Sequence, residues 1–288
     1  MDIGLLGALD VTENGVSIAP TAPKPRQLLA LLALRADQVV PVATLVEELW
    51  AGTPPRSART TLQTYVLQLR ELIATALRRP AGPGGPGTRS AKDVLTTLPG
   101  GYLLAAGGGR NDIREFERLH ELGCRAMDEE NHADASRTLR QALDLWSGQP
   151  FADVSTGAHL AMEARRLEES RLCALDRRIE ADLRLGRHRE LLAELTVLTS
   201  RYRSHENLHA QFMLALYRSG RRGEALEVYR RLRTLLVRDL GLEPSARLRR
   251  LQQSILRAAA DTPGSPPHHD DLTGADASAG RGQMTDFG

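Results

Sequence analysis

This sequence predicts a mainly α-helical chain in two parts, an α+β front and an all-α rear. Three observations carry that prediction. Strand-period alternation is confined to the first twenty residues and a stretch near residue 100; three amphipathic helical segments lie between; and the rear half resembles itself at a fixed period. With 288 residues the chain is long enough for two ordinary domains, each with a core. Hydrophobic residues make up 41%, a globular value, but aromatics only 4%, so the cores fall to Leu, Ala and Val.

At the start, Ile3, Leu5, Leu9, Val11, Val16 and Ile18 mark strands. Glu13-Asn14-Gly15 joins the last two, because Asn-Gly readily takes the positive φ of a tight hairpin. Pro23-Lys24-Pro25 stops the sheet and opens a helix over Arg26 to Asp37, rich in Leu. A second helix begins near Pro41, since Pro is tolerated in a first turn, and puts Leu45, Val46 and Leu49 on one face. Gly52-Thr53-Pro54-Pro55 breaks it. The third helix runs from about Ser57 to Leu77. At about 100° per residue, Leu62, Val66, Leu69 and Ile73 share a narrow arc, flanked by Tyr65 and Leu72. The opposite arc holds Arg56, Thr60, Gln63, Thr64, Leu67 and Gln68. Pro80 to Ser90 is a Gly/Pro-rich loop. Val94 to Thr97 and Tyr102 to Leu104 then read as strands joined through Pro99-Gly100-Gly101. Strands, three helices and a closing hairpin make a winged helix-turn-helix over residues 1–106.

Gly107-Gly108-Gly109 reads as a linker, residues 107–111. From there to Ala260 every segment has helical period. A shift of 34 residues superposes Ala181 on Ala215, Gly186 on Gly220, Arg187 on Arg221 and Glu190 on Glu224, which is the tetratricopeptide period. A weaker third copy has Ala135, Leu139 and Ala142 in the same relative places, with Glu130 where the Gly belongs. The tetratricopeptide-like domain is thus expected over 112–260. Beyond Asp261 the composition of Pro, Gly, Ser, His and Asp predicts a disordered tail, 261–288.

Several function classes find no support. Cys124 and Cys173 make neither a disulfide framework nor a metal-ligand spacing. The first residues show no secretion signal, and the longest apolar run, Leu28 to Leu34, is too short for a membrane span, so the expected location is cytoplasmic, with no membrane. Gly82 to Gly87 lacks the Gly-Lys-Ser/Thr of a phosphate loop. His268-His269-Asp270-Asp271 is a metal candidate only by composition, and Asp128-Glu129-Glu130 stands apart from any nucleophile. The expectation is a protein that is not an enzyme and needs no cofactor or metal.

The net charge of +2 argues for no partner, but from Pro54 to Lys92 seven basic residues face one acid, Glu71. On the third helix, Gln can bond adenine edges and Thr can bond bases or touch a thymine methyl in the major groove. Arg56, Arg59 and Arg70 would hold phosphates and set the register. A solvated helix face explains the same polar arc; Leu67 sits awkwardly on such a face and better against a base methyl or a partner. The repeats imply a concave groove for proteins or peptides, although packing alone requires the same apolar positions. Two other readings follow: a repeat scaffold for a protein partner with a vestigial winged helix, and a ligand-responsive regulator with the groove as a small-molecule pocket.

The chain resembles the SARP family, the antibiotic regulatory proteins of streptomycetes and their relatives. The matching stretches are Pro23 to Leu32 (PKPRQLLALL), Glu48 to Pro55 (ELWAGTPP), Thr61 to Val66 (TLQTYV), Pro99 to Leu104 (PGGYLL), Ala142 to Gly148 (ALDLWSG), Leu214 to Arg221 (LALYRSGR) and Asp239 to Pro244 (DLGLEP), in order over nearly all of Ile3 to Arg257. The resemblance implies an OmpR-type winged helix joined to a bacterial transcriptional activation domain of tetratricopeptide type. It implies a pathway-specific activator of a secondary-metabolite (antibiotic) cluster that binds direct repeats in double-stranded promoter DNA, associates with itself there, and recruits RNA polymerase holoenzyme through its σ factor. Carried onto this chain, DNA contacts fall on Arg59, Thr60, Gln63 and Thr64, with Lys24 and Arg26 on the backbone; Gln68, Thr97 and Tyr102 complete the candidates. Where the family usually reads Tyr-Val-Ser-Arg-Leu-Arg, this chain has Tyr65-Val66-Leu67-Gln68-Leu69-Arg70, one basic residue fewer, and Leu98 follows Thr97 where the wing commonly carries Arg.

Overall fold

The computed structural model describes residues 1–78 and 89–257. Most of the expected Pro80 to Ser90 loop, including Gly82 to Gly87, and the expected tail, including His268 to Asp271, lie outside the described residues. Packing divides the chain into two compact units, Met1–Arg177 and Arg178 onward.

The first unit opens with a three-stranded antiparallel sheet of β1 (Asp2–Gly4), β2 (Asp10–Glu13) and β3 (Val16–Ser17), turning through Asn14 and Gly15 at φ 49° and 72°. Three helices follow: α1 (Pro23–Leu34), α2 (Val42–Trp50) and α3 (Ala58–Leu77). Pro23 and Pro25 sit in the first turn of α1, where a missing N–H leaves no helical bond unmade. The helix expected over Arg26 to Asp37 therefore starts and stops a turn earlier. Its end is set by Asp37, at φ 66°, whose N–H donates to the Leu104 carbonyl (2.8 Å) and whose carboxylate accepts the Ala106 N–H (2.9 Å).

That turn feeds β4 (Val39–Pro41), absent from the sequence reading, which pairs with β6 (Gly101–Leu104). Three residues including a Pro carry no local strand pattern; the partner strand makes the strand. β5 (Leu95–Leu98) completes a second sheet in the order β4-β6-β5. The strand expected from Val94 begins one residue later, because a short helix, α4 (Ala91–Val94), takes Val94. Ser90 and Asp93 form a capping box there, the Ser90 N–H reaching the Asp93 carboxylate at 2.8 Å.

The first unit continues through α5 (Asp112–Asp128), α6 (His132–Asp144) and much of α7 (Ala158–Arg184). Around the glycine run the backbone is held, not loose: the Ile3 N–H donates to the Arg110 carbonyl (2.8 Å), and the Arg110 N–H to the Asp2 carboxylate (2.8 Å). A Cβ on Gly109 would stand 1.7 Å from the Met1 carbonyl oxygen, so only glycine fits. Asp112 accepts the N–H groups of Leu5 (2.7 Å) and Leu6 (2.8 Å), and its burial pushes its pKa up against the pull of these bonds. The Phe151 N–H donates to the Leu5 carbonyl at 3.1 Å. One apolar core runs from Ile3, Leu29 and Leu62 through Phe116, Leu139 and Trp146 to Leu160. The winged helix and the first helices of the rear share it.

In the second unit α8 (Leu192–Arg201), α9 (Glu206–Arg218), α10 (Arg222–Leu240) and α11 (Ala246–Arg257) pack in succession. The repeat is visible in the helix ends. Gly186 and Gly220, at φ 80° and 82°, each follow a helix. The next residue's N–H closes back on it, Arg187 to the Asp182 carbonyl (3.0 Å) and Arg221 to the Leu216 carbonyl (2.9 Å). In the third copy Glu130 takes the same conformation at φ 57°, with the Asn131 N–H on the Ala126 carbonyl at 2.8 Å. An exposed Glu is thus held where the repeat wants Gly, at the cost of a left-handed backbone. Glu130→Gly should stabilise the first unit by about 1 kcal/mol, the strain relief less the added chain entropy. Urea unfolding reads this directly, and an unmoved or lower midpoint would refute it.

Candidate nucleic-acid interface

The core positions of α3 decide which of its residues face outward. Leu62, Val66, Leu69 and Ile73 are buried, so Arg59, Thr60, Gln63, Thr64, Leu67 and Gln68 are exposed together on the other side. Thr64 donates its hydroxyl to the Thr60 carbonyl (3.1 Å), which leaves its oxygen as an acceptor and turns its methyl to a fixed place. Leu67, 57% exposed, stands within this polar face. Arg56 and Arg59 are exposed and make no ion pair or hydrogen bond among the described residues. No acid occurs from Arg56 to Arg70, so the face is uniformly positive. Ser57 gives the helix no side-chain cap.

The remaining candidates are engaged inside the protein. The Arg70 Nε and Nη2 donate to the Leu95 carbonyl (3.0 and 2.8 Å), and Nη2 also to the Thr97 hydroxyl (2.8 Å), which ties α3 to the wing. Thr97 is exposed, but Tyr102 on the neighbouring strand is only 7% exposed, its ring part of the core. Lys24 donates to the Leu49 carbonyl and to the Gln27 side chain (3.2 Å). Arg26 pairs with Asp153 and donates to the carbonyls of Pro20 (3.2 Å) and Leu9 (3.1 Å). Arg59, Thr60, Gln63, Thr64 and Gln68 therefore lie exposed on α3 with Arg56 just before it, whereas Lys24, Arg26, Arg70 and Tyr102 are bonded or buried within the fold.

Sequence reasoning missed a buried acid that fixes this frame. Glu48 on α2, 1% exposed, accepts the N–H groups of Gly157 (2.5 Å), His159 (2.9 Å) and Leu160 (3.2 Å) at the start of α7, and the Gln27 amide at 3.0 Å. A carboxylate at a helix N-terminus meets both the unpaired N–H groups and the positive end of the dipole. The signal was present in part: Glu48 lies between Leu45 and Leu49 on the inward face, where a solvated charge has no place.

Among the described residues no group of three or more His, Cys, Asp and Glu gathers as a metal site, and no helix is long and apolar enough to cross a membrane. Residues 111–256 match the family described as bacterial transcriptional activator domain, and residues 18–81 the one described as transcriptional regulatory protein, C terminal. The chain is 54% identical over 258 residues to the regulatory protein DnrI of Streptomyces peucetius, covering 90% of this chain and 93% of that one. It is 36% identical to the regulatory protein AfsR of Streptomyces coelicolor over 88% of its own length but 24% of AfsR's. A solved structure of Mycobacterium tuberculosis EmbR, in complex with a low-affinity phosphopeptide, superposes with a TM-score of 0.81 at 32% identity, covering 94% of this chain and 68% of that one.

Proposed function

The chain belongs to the SARP family of DNA-binding transcriptional activators, and from that premise we propose that α3 reads operator bases in the major groove of a promoter. One observation carries this reading: a Thr/Gln face, with Arg59 on it and Arg56 just before it unpaired among the described residues, projects from a helix whose other side is locked in the core. Arg56, Arg59 and the uncapped start of α3 hold phosphates, while Thr60, Gln63, Thr64 and Gln68 meet base edges. Thr97 stands at the wing. Lys24, Arg26, Arg70 and Tyr102 serve by position, since each is bonded or buried within the fold.

The target is a secondary-metabolite cluster promoter carrying direct repeats, on which copies of the chain associate and recruit RNA polymerase holoenzyme through its σ factor, in the cytoplasm. The likeness to the regulatory protein DnrI over almost its whole length supports a regulatory role. Footprinting on promoters around its own gene tests it: protected repeats one or a whole number of helical turns apart are the expected pattern.

Mutagenesis separates reading from holding. Alanine at Gln63 or Thr64 should cost about 1–3 kcal/mol at the specific site and almost nothing on unrelated DNA. Arg59→Ala should weaken all sequences alike and lower the salt dependence by about one phosphate contact. If Gln63→Ala and Thr64→Ala leave specific binding intact, α3 does not read bases through this face.

A further inference from the structure

Unit 2 contains a cavity of about 290 Å³ lined by residues of α8, α9 and α10, far in sequence from the α3 face. Phe212, Val228, Leu232 and Leu235 give it an apolar wall. From α8, Thr196, Thr199 and Ser200 donate their hydroxyl protons to backbone carbonyls of their own helix at 2.8, 2.7 and 2.8 Å, which leaves three oxygens as acceptors. Arg203 also lines it, exposed and without an ion pair among the described residues, while neighbouring Arg231 is held by Glu227 at 3.0 Å.

The anomaly in this cavity is His209. It is 8% exposed, and the only group among the described residues that answers its ring is the Arg203 backbone, too poorly aligned for a full hydrogen bond. Burial pushes its pKa below the ordinary imidazole value, with the Arg203 backbone pulling the other way in part. The ring is therefore neutral near pH 7 and offers one N–H donor and one bare nitrogen. Buried polar groups in native proteins are nearly always paired, so an imidazole with at most the Arg203 backbone beside it has a nitrogen to offer a bound molecule. An apolar cavity with a few convergent polar groups is the usual form of a small-molecule site, and this volume lies just below the usual range of roughly 300–1,000 Å³.

We propose that this cavity binds a small apolar hydroxy acid. The hydrocarbon body lies against Phe212 and Leu232, and the carboxylate pairs with Arg203. The hydroxyl donates to the Thr/Ser oxygens and accepts from His209. The volume suits a small molecule, and Arg203, exposed and in no salt bridge among the described residues, supplies a cation for its carboxylate. The proposal stands apart from DNA reading by α3, since it uses no residue of that face, and it gives the activator a place to sense a metabolite.

The test uses the full chain and 3-(4-hydroxyphenyl)propionate as probe. The ring protons of His209 are followed by NMR, assigned by their loss in His209→Gln, beside the melting temperature. Saturable movement of the His209 signals with a rise in Tm is expected. The uncharged amide of the probe should bind about tenfold more weakly, and so should the acid on Arg203→Gln, an exposed substitution that leaves the core intact. 3-Phenylpropionate, lacking the hydroxyl, should bind more weakly and move the His209 signals less. No saturable shift in the parent chain, or equal binding by Arg203→Gln, overturns the proposal.

Discussion

Glu48→Ala should destabilise the first unit by about 2–4 kcal/mol, since several N–H donors lose a charged acceptor. The carboxylate is buried and answers three backbone N–H groups of α7 together with the Gln27 amide, which in turn positions Lys24. Truncation leaves the Leu160 N–H unanswered in a buried site and those of Gly157 and His159 in partly buried ones, while the Gln27 amide keeps the Glu48 carbonyl. Water cannot take over easily, because a Cβ added at Gly157 would lie 2.2 Å from the Glu48 carbonyl oxygen, so α2 and the start of α7 touch there. Glu48→Gln keeps one acceptor oxygen and should lose about half as much. The chain supplies its own probe: its two tryptophans, Trp50 and Trp146, both lie in the first unit, so fluorescence-detected urea unfolding reports that unit alone. A loss below about 1 kcal/mol for Glu48→Ala would mean that the N-terminus of α7 finds other partners.

The contrast between Glu48 and α3 shows what the sequence made legible. α3 was placed to within a residue because its signal is local: four apolar residues at helical spacing between a Pro-Pro break and a Gly/Pro loop. The repeat register put Glu130 where a Gly belongs, and the backbone there is left-handed. What stayed hidden depends on partners distant in sequence. Arg26 looks like a phosphate ligand until Asp153, 127 residues later, claims it. Glu48 shows its inward place but not its partner until Gly157, 109 residues later, meets it. β4 exists because β6 pairs with it. A single sequence shows periodicity and turn chemistry, but it does not show which charged side chains are bonded across the fold.

A fragment ending at Gly109 should not fold cooperatively, whereas one ending at Arg177 should. Read locally, the glycine run divides the chain, and the family match to the activator domain begins nearby at residue 111. The packing divides it at Arg177 instead. Cutting at Gly109 removes Asp112 from the Leu5 and Leu6 amides, Asp153 from Leu9 and Arg26, and the α7 N-terminus from Glu48. It also strips Phe116, Leu139, Trp146, Phe151 and Leu160 from the shared core. Each large apolar side chain buried there stabilises by about 1.5–3 kcal/mol. Five of them amount to roughly the whole stability of an ordinary domain, about 5–15 kcal/mol. The shorter fragment should therefore melt without a cooperative transition and fail to shift promoter DNA. The longer one should melt cooperatively and bind, because α3 and the wing keep every brace described above. Neither should activate transcription alone if the activating surface includes the second unit. Circular dichroism melts beside gel shifts decide the matter. A cooperative, DNA-binding fragment of residues 1–109 would show that the bonds from Asp112, Asp153 and Glu48 decorate a winged helix already stable by itself. The opposite result would make the DNA-reading front and the first helices of the activator domain one mechanical piece, so that strain at α7 is felt at α3.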